Sequence, residues 1–284
     1  MVGVGLILSG CAGPEQKGLE TGGKPVVLVT IPPLAGIVRE VTGDLVEVHC
    51  LMGAGSTPHN FALKPSDMVK AEQSGVLFMV HETLDGWAAK LPVKNTVSLV
   101  DREGGEDDGD HGHTHAHGDF NPHFWSDPNE VMAVLPLIVD GLKEAVPEAE
   151  PKFKENAASF SSALVKLDEA VRKRTERIKG KQAYFFHPSW EKFLERYGIR
   201  VAAYVEPIPG KEMTPKLLRD LIDQAVKKDV SAIFTELQLP AKPAEHLGEV
   251  TGLPVYVLDP LGTPEDSYED LIVRNLATLE EGLR

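Results

Sequence analysis

The chain has 284 residues, with 43 acidic against 29 basic side chains and a formal net charge of −14. Its 42% hydrophobic content excludes wholesale disorder, and at roughly 100–200 residues per domain the length suggests two cores. The acidity argues against a phosphate-backbone partner, which needs a Lys/Arg surface to release counterions, and suits a cationic ligand.

The first stretch, Met1 to Cys11, is apolar and small-residue-rich, shorter than the roughly 20 residues a membrane-spanning helix needs. A polar, Gly-rich segment follows through Lys24, the order expected of an export signal. Leu8-Ser9-Gly10-Cys11 resembles a bacterial lipobox, in which cleavage precedes a cysteine that is then lipidated. Residues 1–23 are therefore expected to be a lipoprotein-type signal and linker, with Cys11 as the lipid attachment point. The other cysteine, Cys50, lies in an apolar run and reads as a small buried hydrophobe. Two cysteines make neither a disulfide framework nor a CxxC ribbon, so a metal would have to be held by His and carboxylate.

From Pro25 the pattern predicts a strand at 26–30, a helix at about 34–42, a strand at 45–52, a helix at 65–73, a strand at 76–80 and a short strand at 95–100. Strands alternating with helices imply a mainly parallel sheet. Residues 101–119 are Gly, acid and His with almost no apolar side chain, and read as a mobile loop. A helix is expected from Pro128 to just before Pro147. A longer one starts near Pro151, where a first-turn proline loses no hydrogen bond, and runs to about Lys179. In it Phe153, Phe160, Leu164, Leu167, Val171 and Ile178 fall on one helical stripe, and Gly180 is a stop signal. The alternation then resumes: strands at 182–186, 201–205, 232–235 and 255–258, helices at 190–197, 214–228, 241–251 and 267–283. The expected architecture is α/β, with two lobes of mainly parallel sheet joined by one long backbone helix. Their limits are 24–148 for the first lobe, 149–180 for the helix and 181–284 for the second lobe.

Three histidines stand where strands end and loops begin: His59 in Thr57-Pro-His-Asn60, His123 in Asn121-Pro-His-Phe-Trp125, and His187 in Phe185-Phe-His-Pro188. Asp259, in Val257-Leu-Asp-Pro260, ends a fourth strand. Residues beyond the carboxyl ends of strands converge in open α/β sheets, and each of the four adjoins a proline that stiffens its backbone. Any one alone is more simply a packed or exposed side chain; the set points to a metal in the interlobe cleft. Three imidazoles and a carboxylate match tetrahedral Zn²⁺ in number and type, whereas Mn²⁺ favours more oxygen and Cu(I) more sulfur. A fourth protein ligand would close the site and make it a receptor; an open position would permit hydrolysis.

Asn121-Pro-His-Phe-Trp125, His187-Pro-Ser-Trp190 with Phe193-Leu-Glu-Arg-Tyr-Gly198, Ile233-Phe-Thr-Glu-Leu-Gln238 and Val257-Leu-Asp-Pro-Leu-Gly262 occur in this order. In these segments the chain, from about Lys24 to Arg284, resembles the zinc- and manganese-binding receptors of bacterial ABC metal importers, solute-binding proteins with a rigid interdomain helix. The resemblance implies that His59, His123 and His187 are metal ligands and that Asp259 occupies the family's carboxylate position. Histidine at 187, where manganese members usually carry Glu, favours zinc. Pro58 stands where some zinc members have a Glu, which leaves the fourth ligand as Asp259 or a water. Implied with this are no enzymatic activity, zinc as cargo, a permease membrane subunit as partner, a lipid-anchored monomer, and a location in the periplasm or on the outer face of the cytoplasmic membrane.

His111, His113, His115 and His117 alternate in the acidic loop, so an extended segment turns them the same way. Small residues between them leave the chain free to wrap an ion, and ordering it costs about 1–2 kcal/mol per residue. The expectation is an auxiliary capture site weaker than the cleft, against the plainer reading of a solvated insertion. His81-Glu82 begins like HExxH but position 85 is Asp, and Gly53-Ala-Gly55 lacks the remainder of a dinucleotide loop. His49, His81 and His246 read as structural or exposed, Glu206 and Glu236 as core or outer-shell support, and Trp87, Trp125 and Trp190 as packing. The rival functions are a manganese or iron(II) receptor, a zinc hydrolase with Asp259 as base, and a surface lipoprotein whose metal only stabilises the fold.

Overall fold

A computed structural model of the chain describes residues 23–100, 120–206, 214–227 and 229–284. The expected signal with Cys11 and the loop carrying His111, His113, His115 and His117 lie outside the described residues. The first lobe runs β1 (Val26–Val29), α1 (Pro32–Thr42), β2 (Glu47–Cys50), α2 (Pro65–Gln73), β3 (Ser74–Met79), α3 (Glu82–Asp85), β4 (Thr96–Ser98) and α4 (Pro128–Ala145). The long helix α5 (Glu150–Thr175) follows. The second lobe runs β5 (Gln182–Phe185), α6 (Glu191–Arg196), β6 (Arg200–Tyr204), α7 (Pro215–Lys227), β7 (Ile233–Glu236), α8 (Ala241–Thr251), β8 (Val255–Leu258) and α9 (Tyr268–Gly282).

Each lobe holds a four-stranded sheet, ordered β2-β1-β3-β4 in the first and β6-β5-β7-β8 in the second. Every pairing is parallel, so all carboxyl ends within a sheet open toward one side. A glycine lets a helix close on each sheet. A Cβ at Gly141 of α4 would stand 2.8 Å from Phe78, and one at Gly282 of α9 would stand 2.6 Å from Phe234.

The helix α5 buries Phe153, Ala157, Phe160, Leu164, Leu167 and Val171, the stripe expected from its spacing. Each large side chain there contributes about 1.5–3 kcal/mol before ordering entropy is subtracted. The helix lies against α1 and α4 of the first lobe and α9 of the second, so one apolar cluster runs through both lobes. It ends a turn earlier than expected, at Thr175, yet Ile178 beyond it stays buried. Strand and helix limits elsewhere fall within a few residues of expectation. The short helix α3, between β3 and β4, is not evident from periodicity. Cys50 is half-buried rather than enclosed, and its thiol is a free cysteine that burial pushes up to about 12.

Polar contacts pin the lobes together. Arg196 of α6 binds Asp127 at the start of α4 at 3.3 Å and Asp168 of α5 at 2.8 Å. Burial pushes the Asp168 carboxyl up, but bonds from Arg196 and Tyr197 outweigh it and hold it below its ordinary value. Arg39 of α1 reaches across to the carbonyls of Pro264 and Asp266. Among the described residues no helix is long and apolar enough to cross a membrane.

Candidate metal centre

His59 sits in a single helical turn, Pro58–Asn60, whose preceding Thr57 side chain accepts from the His59 amide at 3.4 Å. Trp87 fixes that turn from beneath by donating its indole N–H to the Pro58 carbonyl at 3.0 Å. His123 precedes the turn Phe124–Ser126, after which Asp127 caps α4 by accepting from the Asn129 amide. Trp125 spans the lobes, donating to the Pro260 carbonyl at 2.8 Å, and its ring packs edge-on to His123. His187 ends the extended segment of β5, directly before the turn Pro188–Trp190.

The three rings meet. His187 Nε2 lies 3.3 Å from both His59 Nε2 and His123 Nε2, and the donor atoms of all three lie within 4.8 Å of one another. Ring centroids are 4.9 Å apart for His123 and His187, 5.1 Å for His59 and His187 and 6.1 Å for His59 and His123. Two ligand nitrogens at 2.0–2.1 Å from a tetrahedral ion stand about 3.4 Å apart. A single N–H could satisfy one of the two 3.3 Å contacts; a cation at the meeting point satisfies both. Burial, with the neighbouring His187 and His59, holds His123 well below its ordinary value. Desolvation lowers His59 as well, although part of its side chain reaches solvent. Neutral imidazole is the metal-binding form.

Asp259 stands apart from that trio. Its Oδ1 accepts from Gln238 at 2.8 Å and from the amides of Leu261 and Gly262 at 3.3 and 2.9 Å. Its backbone is clasped by Asn275, which accepts from the Asp259 amide at 2.7 Å and donates to its carbonyl at 2.8 Å. Among the described residues the group of donors close enough to share an ion is His59, His123 and His187, and Asp259 is not in it. The carboxylate that lines the cleft with them is Glu236. It is 7% exposed, accepts from Ser189 Oγ at 2.5 Å, and burial pushes it up to about 8. Its burial beside the trio fits the core or outer-shell place expected of Glu236 from the sequence.

The other described histidines, His49, His81 and His246, take the structural or exposed places expected of them. His81 caps α3 by accepting from the Thr83 amide, His49 contacts Lys70, and His246 is exposed beside Glu249. Asp85, at the last position of the failed HExxH pattern, is wholly buried and accepts from Thr30, Val80 and His81, tying the ends of β1 and β3.

Fold and site together define a two-lobed α/β protein with parallel sheets, a backbone helix and a three-histidine centre between the lobes. Residues 27–282 match the family described as zinc-uptake complex component A, periplasmic (ZnuA), and the chain belongs to that family. The zinc-binding lipoprotein AdcA of Streptococcus pneumoniae (strain ATCC BAA-255 / R6) is 26% identical over 296 residues, 97% of this chain. The alignment covers 58% of that relative, so the chain spans little more than half of its length. The metal ABC transporter substrate-binding lipoprotein FimA of Streptococcus parasanguinis is 26% identical over 288 residues, covering 94% of this chain and 93% of FimA. Among solved structures, a crystal structure of ZnuA superposes with a TM-score of 0.77 at 22% identity, over 91% of this chain and 97% of its own. The laminin-binding protein Lmb of Streptococcus agalactiae gives 0.78 at 21% identity, over 92% and 100%. At such identities these structures speak for the shared fold.

Proposed function

We propose that this chain is an extracytoplasmic zinc receptor: it captures Zn²⁺ between its lobes on His59, His123 and His187 and presents the ion to the membrane permease of an ABC importer. The observation that carries this reading is the 3.3 Å spacing of the imidazole Nε2 atoms, which fits ligands around one tetrahedral ion. An all-imidazole trio favours zinc over manganese or iron(II), for which oxygen donors are preferred. The family's description and the relatives' names, zinc-binding lipoprotein and metal ABC transporter substrate-binding lipoprotein, support the same role and a lipid anchor at Cys11 on the outer face of the membrane. A receptor of this kind needs no turnover, and binding must permit release.

The fourth donor in this reading is Asp259 or a water. Asp259 holds Gln238 and the Leu261 and Gly262 amides through Oδ1, which leaves Oδ2 as the oxygen it would offer to an ion. Because α5 packs on both lobes, entry and release fall to local loops rather than to a wide hinge. The lobes are taken as 24–148 and 181–284 with 149–180 between them, and the protein as a monomer. The loop histidines 111, 113, 115 and 117 serve in this account as a weaker collecting site. Competition calorimetry with zinc on the mature chain tests the reading. One tight site, lost in His59→Ala and His187→Ala, is expected; a tight site that survives both substitutions overturns it. Metal content after growth without supplements separates zinc from manganese and iron.

A further inference from the structure

Asn121 occupies an unusual position between the halves of the centre. Its side-chain orientation is settled by its partners: the amide Nδ2 faces two pure acceptors, the Pro188 carbonyl at 2.9 Å and Glu191 Oε2 at 2.7 Å. Its Oδ1 faces the His123 amide at 3.0 Å, a pure donor. An amide rotated the other way would oppose like groups at all three contacts. That same Oδ1 lies 2.7 Å from His123 Nδ1, and an amide oxygen only accepts, so Nδ1 must carry the proton. A neutral ring protonated at Nδ1 turns an unprotonated Nε2 toward His187 and His59, where an ion would need it.

The other half of the side chain faces the second lobe. Pro188 directly follows His187, and Glu191 begins α6 while also accepting from Tyr204 of β6 at 3.2 Å. One amide thus links the His123 ring to the turn that carries His187. We propose that Asn121 is the positioning residue of the centre, dictating the His123 tautomer and holding that ring in register with His187 across the cleft. The inference rests on the receptor reading for its consequence, zinc affinity, but not for its tautomer.

The test uses the full metal-free chain labelled with ¹⁵N-histidine, together with zinc competition on the same samples. In the wild type His123 should show a protonated Nδ1 and a bare Nε2. In Asn121→Leu that tautomer should be lost, and zinc affinity should fall about 10–100-fold, the usual cost of losing an outer-shell partner. In Asn121→Asp the tautomer should persist with its Nδ1 proton shifted downfield, because a carboxylate is the stronger acceptor. Affinity should fall here too, because the acceptor for Nδ1 remains while the new carboxylate opposes the Pro188 carbonyl and Glu191 and breaks the link across the cleft. An unchanged His123 spectrum in Asn121→Leu overturns the proposal; should that variant not fold, an unmoved Nδ1 proton in Asn121→Asp does so. His123→Ala separates the two claims. If it leaves zinc affinity intact the receptor reading fails at this site, whatever the tautomer of the wild type.

Discussion

The histidine trio and the Asp259 turn are built in opposite ways. The trio brings three ring nitrogens face to face, two pairs of them at 3.3 Å, while the Asp259 carboxylate is committed to Gln238 and to its own turn. The first arrangement gathers donors that a cation would bridge; the second commits one carboxylate oxygen, Oδ1, to the protein itself. In the proposed receptor, binding would draw on the histidines as they stand and on Asp259 only through the oxygen, Oδ2, that does not hold the turn.

The largest effect should follow His187→Ala, because His187 Nε2 lies 3.3 Å from both other ring nitrogens: zinc affinity, measured by competition, should drop at least about 100-fold, beyond the range typical of outer-shell changes. His59→Ala, at the exposed side, should cost less than His187→Ala; the reverse ranking would place the ion elsewhere. Proton competition comes next. Because burial lowers His59 and His123 from their ordinary value, protons compete for them at lower pH than for a free imidazole. Zinc affinity should be nearly constant from about pH 7.5 to 6.5 and fall steeply below about pH 6; a flat profile to about pH 5 would mean that the donors are not imidazoles.

Smaller changes sharpen the contrast. Asp259→Asn keeps an acceptor oxygen for the turn and should lower zinc affinity by no more than about tenfold, within the outer-shell range; a loss matching His187→Ala would show that the carboxylate ligates the ion. Glu236→Gln should act on the metal-free protein. The carboxyl rises from 4.5 to about 8 on folding, so between those values the folded state holds a proton that the unfolded state releases. Its burial thus costs stability increasingly as pH rises through that window. The glutamine variant should accordingly melt higher than wild type at pH 8 and by a smaller margin at pH 5, as followed by thermal unfolding; an equal margin at both would deny the raised carboxyl.

Much of this was legible in the chain because the signals were local. Strands alternating with helices marked the parallel sheets, the α5 stripe marked its buried face, and proline beside each of His59, His123 and His187 marked rigid turns, although only His187 stands at a strand end: His59 and His123 lie in or before short helical turns well beyond β2 and β4. What escaped depended on distant partners. Asp259 has the same local signature as the histidines, yet Gln238 and the amides beyond it decide where its oxygen points. Asp85 looks like any carboxylate near a strand end until the fold buries it, whereas Glu236, expected as core or outer-shell support, is found buried beside the trio. The short helix α3 has too few residues to display a period.

The central claim is that His59, His123 and His187 jointly hold one zinc ion. X-ray absorption at the zinc edge on the loaded chain tests it most directly. The account predicts a shell of nitrogen and oxygen at about 2.0–2.1 Å with the multiple-scattering signature of three imidazoles, reduced by one in each single alanine variant. A shell without imidazole, or one unchanged by those substitutions, would contradict it.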